Sequence, residues 1–195
     1  MTTTIKLLCA AWIAASLLIS GCNDAAKPTV AKAGTSAVSV ATIAAGATGF
    51  VAGAPMSART VYVFFDSQCS HCGVLWYAAK PLMSQAKFIW IPVGLLNSAS
   101  TSQGAALLAA TDPAAAMDAH EASMLAKGGG ISALNAPDAQ KALVAKNTAL
   151  LNSFGFGSIP TIVGTHAQTG ALVTQEGALS TTALASLLGL QPPTP

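Results

Sequence analysis

Val61-Tyr62-Val63-Phe64-Phe65-Asp66-Ser67-Gln68-Cys69-Ser70-His71-Cys72 is the stretch that decides the fold. Its first five residues are apolar, aromatic or β-branched, with no polar alternation, as in a strand buried on both faces. Asp66-Ser67-Gln68 breaks the run. Beyond Cys69, Val74, Leu75, Ala78, Leu82 and Met83 form an apolar stripe at helical spacing, so a helix is expected to begin at the cysteines. Pro81 falls inside the stripe and should kink it, because proline has no N–H to donate. Lys87–Val93 reads as a second strand. Order is therefore expected to start near Thr60, as a β-α-β unit with both cysteines at the strand-to-helix turn.

Two cysteines three apart at a helix start share a face and lie within disulfide reach. Cys69 meets the unpaired N–H groups of the first turn, which favour thiolate over thiol. Cys72 lies one turn deeper and suits a resolving thiol. Attack by Cys69 on a substrate disulfide would give a mixed disulfide, which Cys72 then resolves. No separate cofactor is expected, since the Cys69–Cys72 dithiol/disulfide carries the electrons. A static disulfide is an alternative, although so short a loop hardly constrains the unfolded chain. Another is a copper- or zinc-binding site built on Cys69, His71 and Cys72 as soft ligands. A closed zinc site would need a further ligand, and His120 or His166 would have to reach across the fold. Ser70 and His71 are candidate modulators. An imidazolium at His71 would favour the thiolate and make the disulfide a stronger oxidant; a solvent-facing histidine with little effect is the alternative.

The rest of the chain bounds the class. It has 195 residues, 52% hydrophobic but only 8% charged, against roughly 25% charged in ordinary soluble domains. With a net charge of +2 and no basic stripe, nucleic acid is not an expected partner. Lys6 followed by the apolar run Leu7–Ile19 reads as a signal peptide over residues 1–21. Its end, Ile19-Ser20-Gly21-Cys22, is similar to the bacterial lipoprotein cleavage box, which makes Cys22 the candidate lipidation site. A plain secreted protein with an incidental Cys22 is the other reading. With Cys9 in the discarded segment and Cys22 carrying lipid, Cys69 and Cys72 are left as the pair in an oxidising compartment. Residues 22–58 read as a lipid-anchored tether. Asn23–Thr35 is its flexible part, a tether of roughly 30 small residues spans about 30 Å as a coil, and Ala37–Ala47 could form a short helix. After Val93 three helices are expected, about Ser100–Ala110, Asp112–Lys127 and Pro137–Phe154, with Asp112 capping the second and Pro113 at its first position. Strands Ser158–Gly164 and Ala171–Glu176, a helix Ser180–Leu188 stopped by Gly189, and a tail over 191–195 complete the chain.

The opening stretch, together with Leu75-Trp76, resembles the periplasmic thiol:disulfide interchange proteins of the DsbC/DsbG type. Ser158-Ile159-Pro160-Thr161 is similar to the cis-proline loop of the thioredoxin superfamily. The resemblance implies an α/β thioredoxin fold over residues 59–190, with a helical insertion at about 97–154 between its β-α-β and β-β-α halves. It implies a protein disulfide oxidoreductase or isomerase in the bacterial periplasm. Partners would be exported proteins with thiols or disulfides and a redox protein that recycles the pair. Ile159, Pro160 and Thr161 would bind substrate, with the Ile159–Pro160 bond cis and the Ile159 backbone free to pair with an extended segment; an ordinary trans proline opening an edge strand is the alternative. Relatives of this type carry an N-terminal dimerisation domain, which some thirty small residues cannot supply. A monomer held at the membrane by its lipid alone is therefore expected. Two departures pull on the redox direction. Ile159 stands where the isomerases usually have threonine, and Val63 stands where thioredoxins place a buried acid. Trp76 reads as core or rim packing, or else as part of the substrate surface. Asp66 reads as a cap on its turn, and His120 and Glu121 as residues on a helix face of the insertion.

Overall fold

The computed structural model describes residues 36–193; the expected signal peptide, Cys22 and the stretch Asn23–Thr35 lie outside the described residues. The opening stretch forms β2 (Thr60–Asp66), and every residue after Thr60 in it is buried. β2 runs parallel to β3 (Lys87–Val93), with Val63 opposite Trp90, and antiparallel to β4 (Thr161–Thr165), with Val63 opposite Ile162. β1 (Phe50–Gly53) and β5 (Leu172–Glu176) close the two edges antiparallel, giving the order β1-β3-β2-β4-β5.

Strand alternation divides the core into two layers. Val61, Val63 and Phe65 pack with Leu75 and Trp76 of α2 (Ser70–Ala79) and with Leu184 and Leu188 of α6 (Thr181–Leu188). Tyr62 and Phe64 face the other way, onto Ile43 of α1 (Val40–Gly46) and Leu151 of α5 (Asp138–Ser153). In the first layer Trp76 and Trp90 meet edge-on at 5.0 Å between ring centroids, and Phe50 meets Phe65 at 6.0 Å. Each fully buried large side chain contributes about 1.5–3 kcal/mol, so the strand that leads to the cysteines is held on both faces.

The insertion forms as three helices, α3 (Ser98–Ala109), α4 (Pro113–Leu125) and α5. Asp112 accepts a hydrogen bond from the Ala115 amide and Pro113 opens α4, as expected. α6 begins at the cap Ser180 and ends where Gly189 takes a φ of 65°, the left-handed region that glycine enters without cost.

Three expectations need correction. Order does not begin near Thr60. The short helix allowed over Ala37–Ala47 exists as α1, and β1 pairs along β3 ahead of the opening strand. The side chain of Asn147, deep in α5, accepts from the Thr48 amide at 2.9 Å and donates to the carbonyls of Thr48 and Pro92. A small-residue segment with little pattern of its own is thus held by tertiary contacts. The stripe on α2 is also different. Val74 is 56% exposed, whereas Cys72, Leu75, Trp76 and Ala79 are buried, because that set points at the sheet with i, i+3, i+4, i+7 spacing. Pro81 lies in a 3-10 turn, Lys80–Leu82, where the α-helix has already stopped. Finally, β4 starts at Thr161 rather than Ser158, since the Ser158 amide donates to the Glu176 carboxylate instead of joining the ladder.

Candidate active site

The end of β2 passes into α2 through Asp66-Ser67-Gln68, and that turn fixes where the cysteines stand. Cys69 is the N-cap of α2, with extended backbone and no side-chain cap bond. Its amide donates to the Asp66 carbonyl at 3.0 Å, and its carbonyl accepts from the amides of Cys72 and Gly73. The Cys69 sulfur lies 3.9 Å from the Ile159 carbonyl oxygen. The Ile159–Pro160 bond is cis. The structure therefore brings Cys69, Cys72 and the Ile159-Pro160-Thr161 loop together.

Both cysteines are free thiols with different environments. Cys69 is lowered to about 6, first by the hydrogen bond from the Cys72 thiol, against the cost of burial, and further by the Cys72 and His71 amides and the His71 charge. Cys72, fully buried, is pushed far up, first by loss of solvent and then by its bond to Cys69. At neutral pH the first sulfur is a thiolate and the second a thiol. Ser70 and His71 are exposed beside them. A groove of about 530 Å³ opens over the Cys69 sulfur, bounded by His71, Leu95, Leu96, Ser158 and Ile159.

Carboxylates hold both walls of this groove. Asp66 is fully buried. One of its oxygens accepts from the Gln68 amide at 2.8 Å and the other from the amides of Leu95 and Leu96 at 2.7 and 3.0 Å. It caps its turn as expected, and it also fixes the leucine wall. Glu176, at the end of β5, accepts from the amides of Gly157 and Ser158 on the proline side.

The insertion reaches under the same turn. His120 is fully buried. Its Nε2 pairs with the Ser67 carbonyl at 2.7 Å, while its Nδ1 accepts from the Ile131 amide at 3.1 Å, so the ring is neutral with its proton on Nε2. Burial holds it below its usual value. Gln103 bonds Gln68 and the Gly129 and Ile131 carbonyls. Glu121 is also buried, against the first turn of α2. These two helix-face residues therefore belong to the site, which the sequence reading did not assign. The signal was present: Met117, His120, Glu121 and Met124 fall at i, i+3, i+4, i+7, the spacing of an inward face. Trp76 is core; its Nε1–H donates to Asp118 at 2.7 Å, away from the groove. Among the described residues no three His, Cys, Asp or Glu side chains group as a metal site, and His120 and His166 do not join Cys69, His71 and Cys72.

No family model matches the sequence. The thiol:disulfide interchange protein DsbG of Pseudomonas aeruginosa is 34% identical over 137 residues, covering 67% of this chain and 51% of that protein. The chain is related to the DsbG proteins. Escherichia coli DsbG is 32% identical over 108 residues, covering 52% of this DsbG-related chain and 42% of the relative. The chain thus spans about half the length of the curated relatives it matches. A periplasmic thioredoxin-like protein from Salmonella enterica serovar Typhimurium superposes with a TM-score of 0.60 at 14% identity, over 79% of this chain and 97% of that one. The architecture is the thioredoxin fold, a mixed five-stranded sheet between helices.

Proposed function

We propose that this DsbG-related chain is a thiol:disulfide oxidoreductase of exported proteins, with Cys69 as nucleophile and Cys72 as resolving thiol. The single observation that carries the reading is the placement of the two sulfurs. Cys69 sits at the helix start on the groove beside the Ile159 carbonyl, and Cys72 is buried one turn behind, which lowers the first thiol and raises the second. Exchange proceeds as the Cys69 thiolate forms a bond to one sulfur of a substrate disulfide and expels the other as a thiolate. Cys72 then loses its proton, bonds to Cys69 and releases the substrate thiol. The pair is left oxidised and the substrate reduced; the reverse sequence oxidises a substrate dithiol. An extended substrate segment lies along Ile159-Pro160-Thr161, with Leu95 and Leu96 covering its apolar side. A second redox protein recycles the pair.

The chain works as a lipid-anchored monomer in the bacterial periplasm, attached through Cys22. Ile19-Ser20-Gly21-Cys22 supports that placement, and no described helix is long and apolar enough to cross a membrane. Cys72→Ser leaves the first step intact and removes the second. Non-reducing gels are expected to show mixed-disulfide adducts of this variant through Cys69, and the wild type is expected to act on insulin or scrambled ribonuclease. Absence of adducts together with inert wild type overturns the reading.

A further inference from the structure

The carboxyl of Glu121 has no role in the exchange described above, yet its place is unusual. It belongs to α4, in the insertion, and only 3% of the residue is exposed. Its Oε1 is buried with no hydrogen-bond partner among the described residues. Its Oε2 sits against Gly73, where a Cβ would collide with it. Gly73 lies four residues after Cys69, on the same helix face, and its amide bonds the Cys69 carbonyl. The bare glycine is what admits a carboxyl to the head of the helix that carries the nucleophile. A small cavity of about 110 Å³, walled by Ser70, Val74, Tyr77 and Leu125, lies beside the carboxyl.

We propose that Glu121 is a positioning residue for the redox pair: it holds a proton while Cys69 is a thiolate and releases it when that charge is consumed in a disulfide. This rests on the exchange reading of Cys69 and Cys72. Reduction by an incoming dithiol breaks the Cys69–Cys72 bond, moves two electrons onto the pair and oxidises the donor to its disulfide. The donor also yields two protons. One ends on Cys72; the other, which Cys69 does not keep, goes to Glu121. Reoxidation of the pair returns both.

The electrostatics agree. Glu121 is raised to about 7, first by burial and then by the Cys69 charge. Oxidation removes the second cause and leaves the first, so the carboxyl binds its proton more tightly in the reduced protein. Other groups do not override Cys69. From α2, Tyr77 faces the shared cavity and Cys72 is held neutral. His71 lines the groove on the opposite side. Within α4, His120 turns onto Ser67 and Ile131, and Asp118 pairs with Lys80. α3 and β1, which also pack against α4, carry no titratable side chain.

The sign follows from linkage. A group bound more tightly in the reduced state favours reduction at low pH, and that help is lost as pH rises through its reduced-state value. The test is the equilibrium of full-length wild type and Glu121→Gln with glutathione between about pH 5 and about pH 8.5. The two proteins are expected to coincide at the acid end. Above about 7 the wild type should become harder to reduce than the variant, by several-fold in the equilibrium constant. Parallel curves at every pH overturn the proposal while leaving the exchange reading intact; a pair that never equilibrates with glutathione overturns the exchange reading itself. Redox-difference infrared spectra of the wild type at neutral pH give a readout that needs no variant to fold. A protonated-carboxyl band should appear on reduction, and its absence also overturns the proposal.

Discussion

At the scale of single residues, the geometry gives two sulfurs three positions apart opposite proton affinities. The N-cap position brings free amides and the Cys72 thiol to Cys69, while Cys72 has lost its solvent. Alkylation of the reduced protein by iodoacetamide is therefore expected to follow a single midpoint at about 6 and to label Cys69 alone at neutral pH, read by peptide mass. A midpoint near the ordinary value of 9.0 would mean that the helix start does not act on this sulfur. The same preference contributes to the stability of the reduced fold. Cys69 is depressed in the folded state, so its contribution is complete above 9.0 and lost as pH falls through about 6. Much of this was legible in the sequence, because strand, break, CxxC and apolar stripe fix a helix start locally. The carboxylates were less so. Asp66 reads as a turn cap from its neighbours, but its bonds to Leu95 and Leu96 join residues thirty positions apart. Glu176 holds Gly157 and Ser158 across a strand pair, and no local pattern announces it.

At the scale of elements, the legible parts are those whose pattern is their own. β3 spans Lys87–Val93, as its apolar run predicts, and the helices of the insertion begin and end within two residues of the expected bounds. α1 is only allowed by the sequence, within Ala37–Ala47, and β1 is not expected from it at all, since Val40–Gly46 and Phe50–Gly53 are weak by propensity. They become ordered by what they touch: Ile43 is fully buried, and Phe50 packs edge-on against Phe65 and Trp76. Asp66 is the counterpart on the other side of the site, a single carboxylate that joins the end of β2 to the loop after β3. Asp66→Ala leaves three amides without their charged acceptor. Bonds to charged groups are each worth about 1.5–3 kcal/mol, so the three together predict a loss of about 4 kcal/mol or more in urea unfolding. A change under a tenth of that would show that water replaces the carboxylate fully.

At the scale of the molecule, the insertion and the sheet share a buried histidine. His120 is neutral in the fold and held below its ordinary value of 6.5 by burial. The unfolded chain takes up a proton there first, so its contribution to stability is complete above 6.5 and lost as pH falls through the folded value. Glu121 runs opposite: raised to about 7 from 4.5, it favours the fold below 4.5 and ceases to as pH rises through about 7. His120→Gln should therefore lower stability at about pH 7.5, where the Ser67 and Ile131 bonds are lost, yet close the gap with wild type at about pH 5. Urea midpoints at the two values check this, and a constant gap would assign His120 a purely steric role.

The ties at 66–68 have one more effect. Gln68 is bonded to Gln103, Ser67 to Ser100 and His120, and Asp66 to Leu95 and Leu96. Those partners span the loop after β3 and the first two helices of the insertion. A transient opening of this helical lobe must release the cysteine turn along with it, because breaking one set strands the other without partners. The amide protons of Gln68, Leu95, Leu96 and Ile131 would then trade with deuterium as one cooperative unit, separate from the slower centre of the sheet.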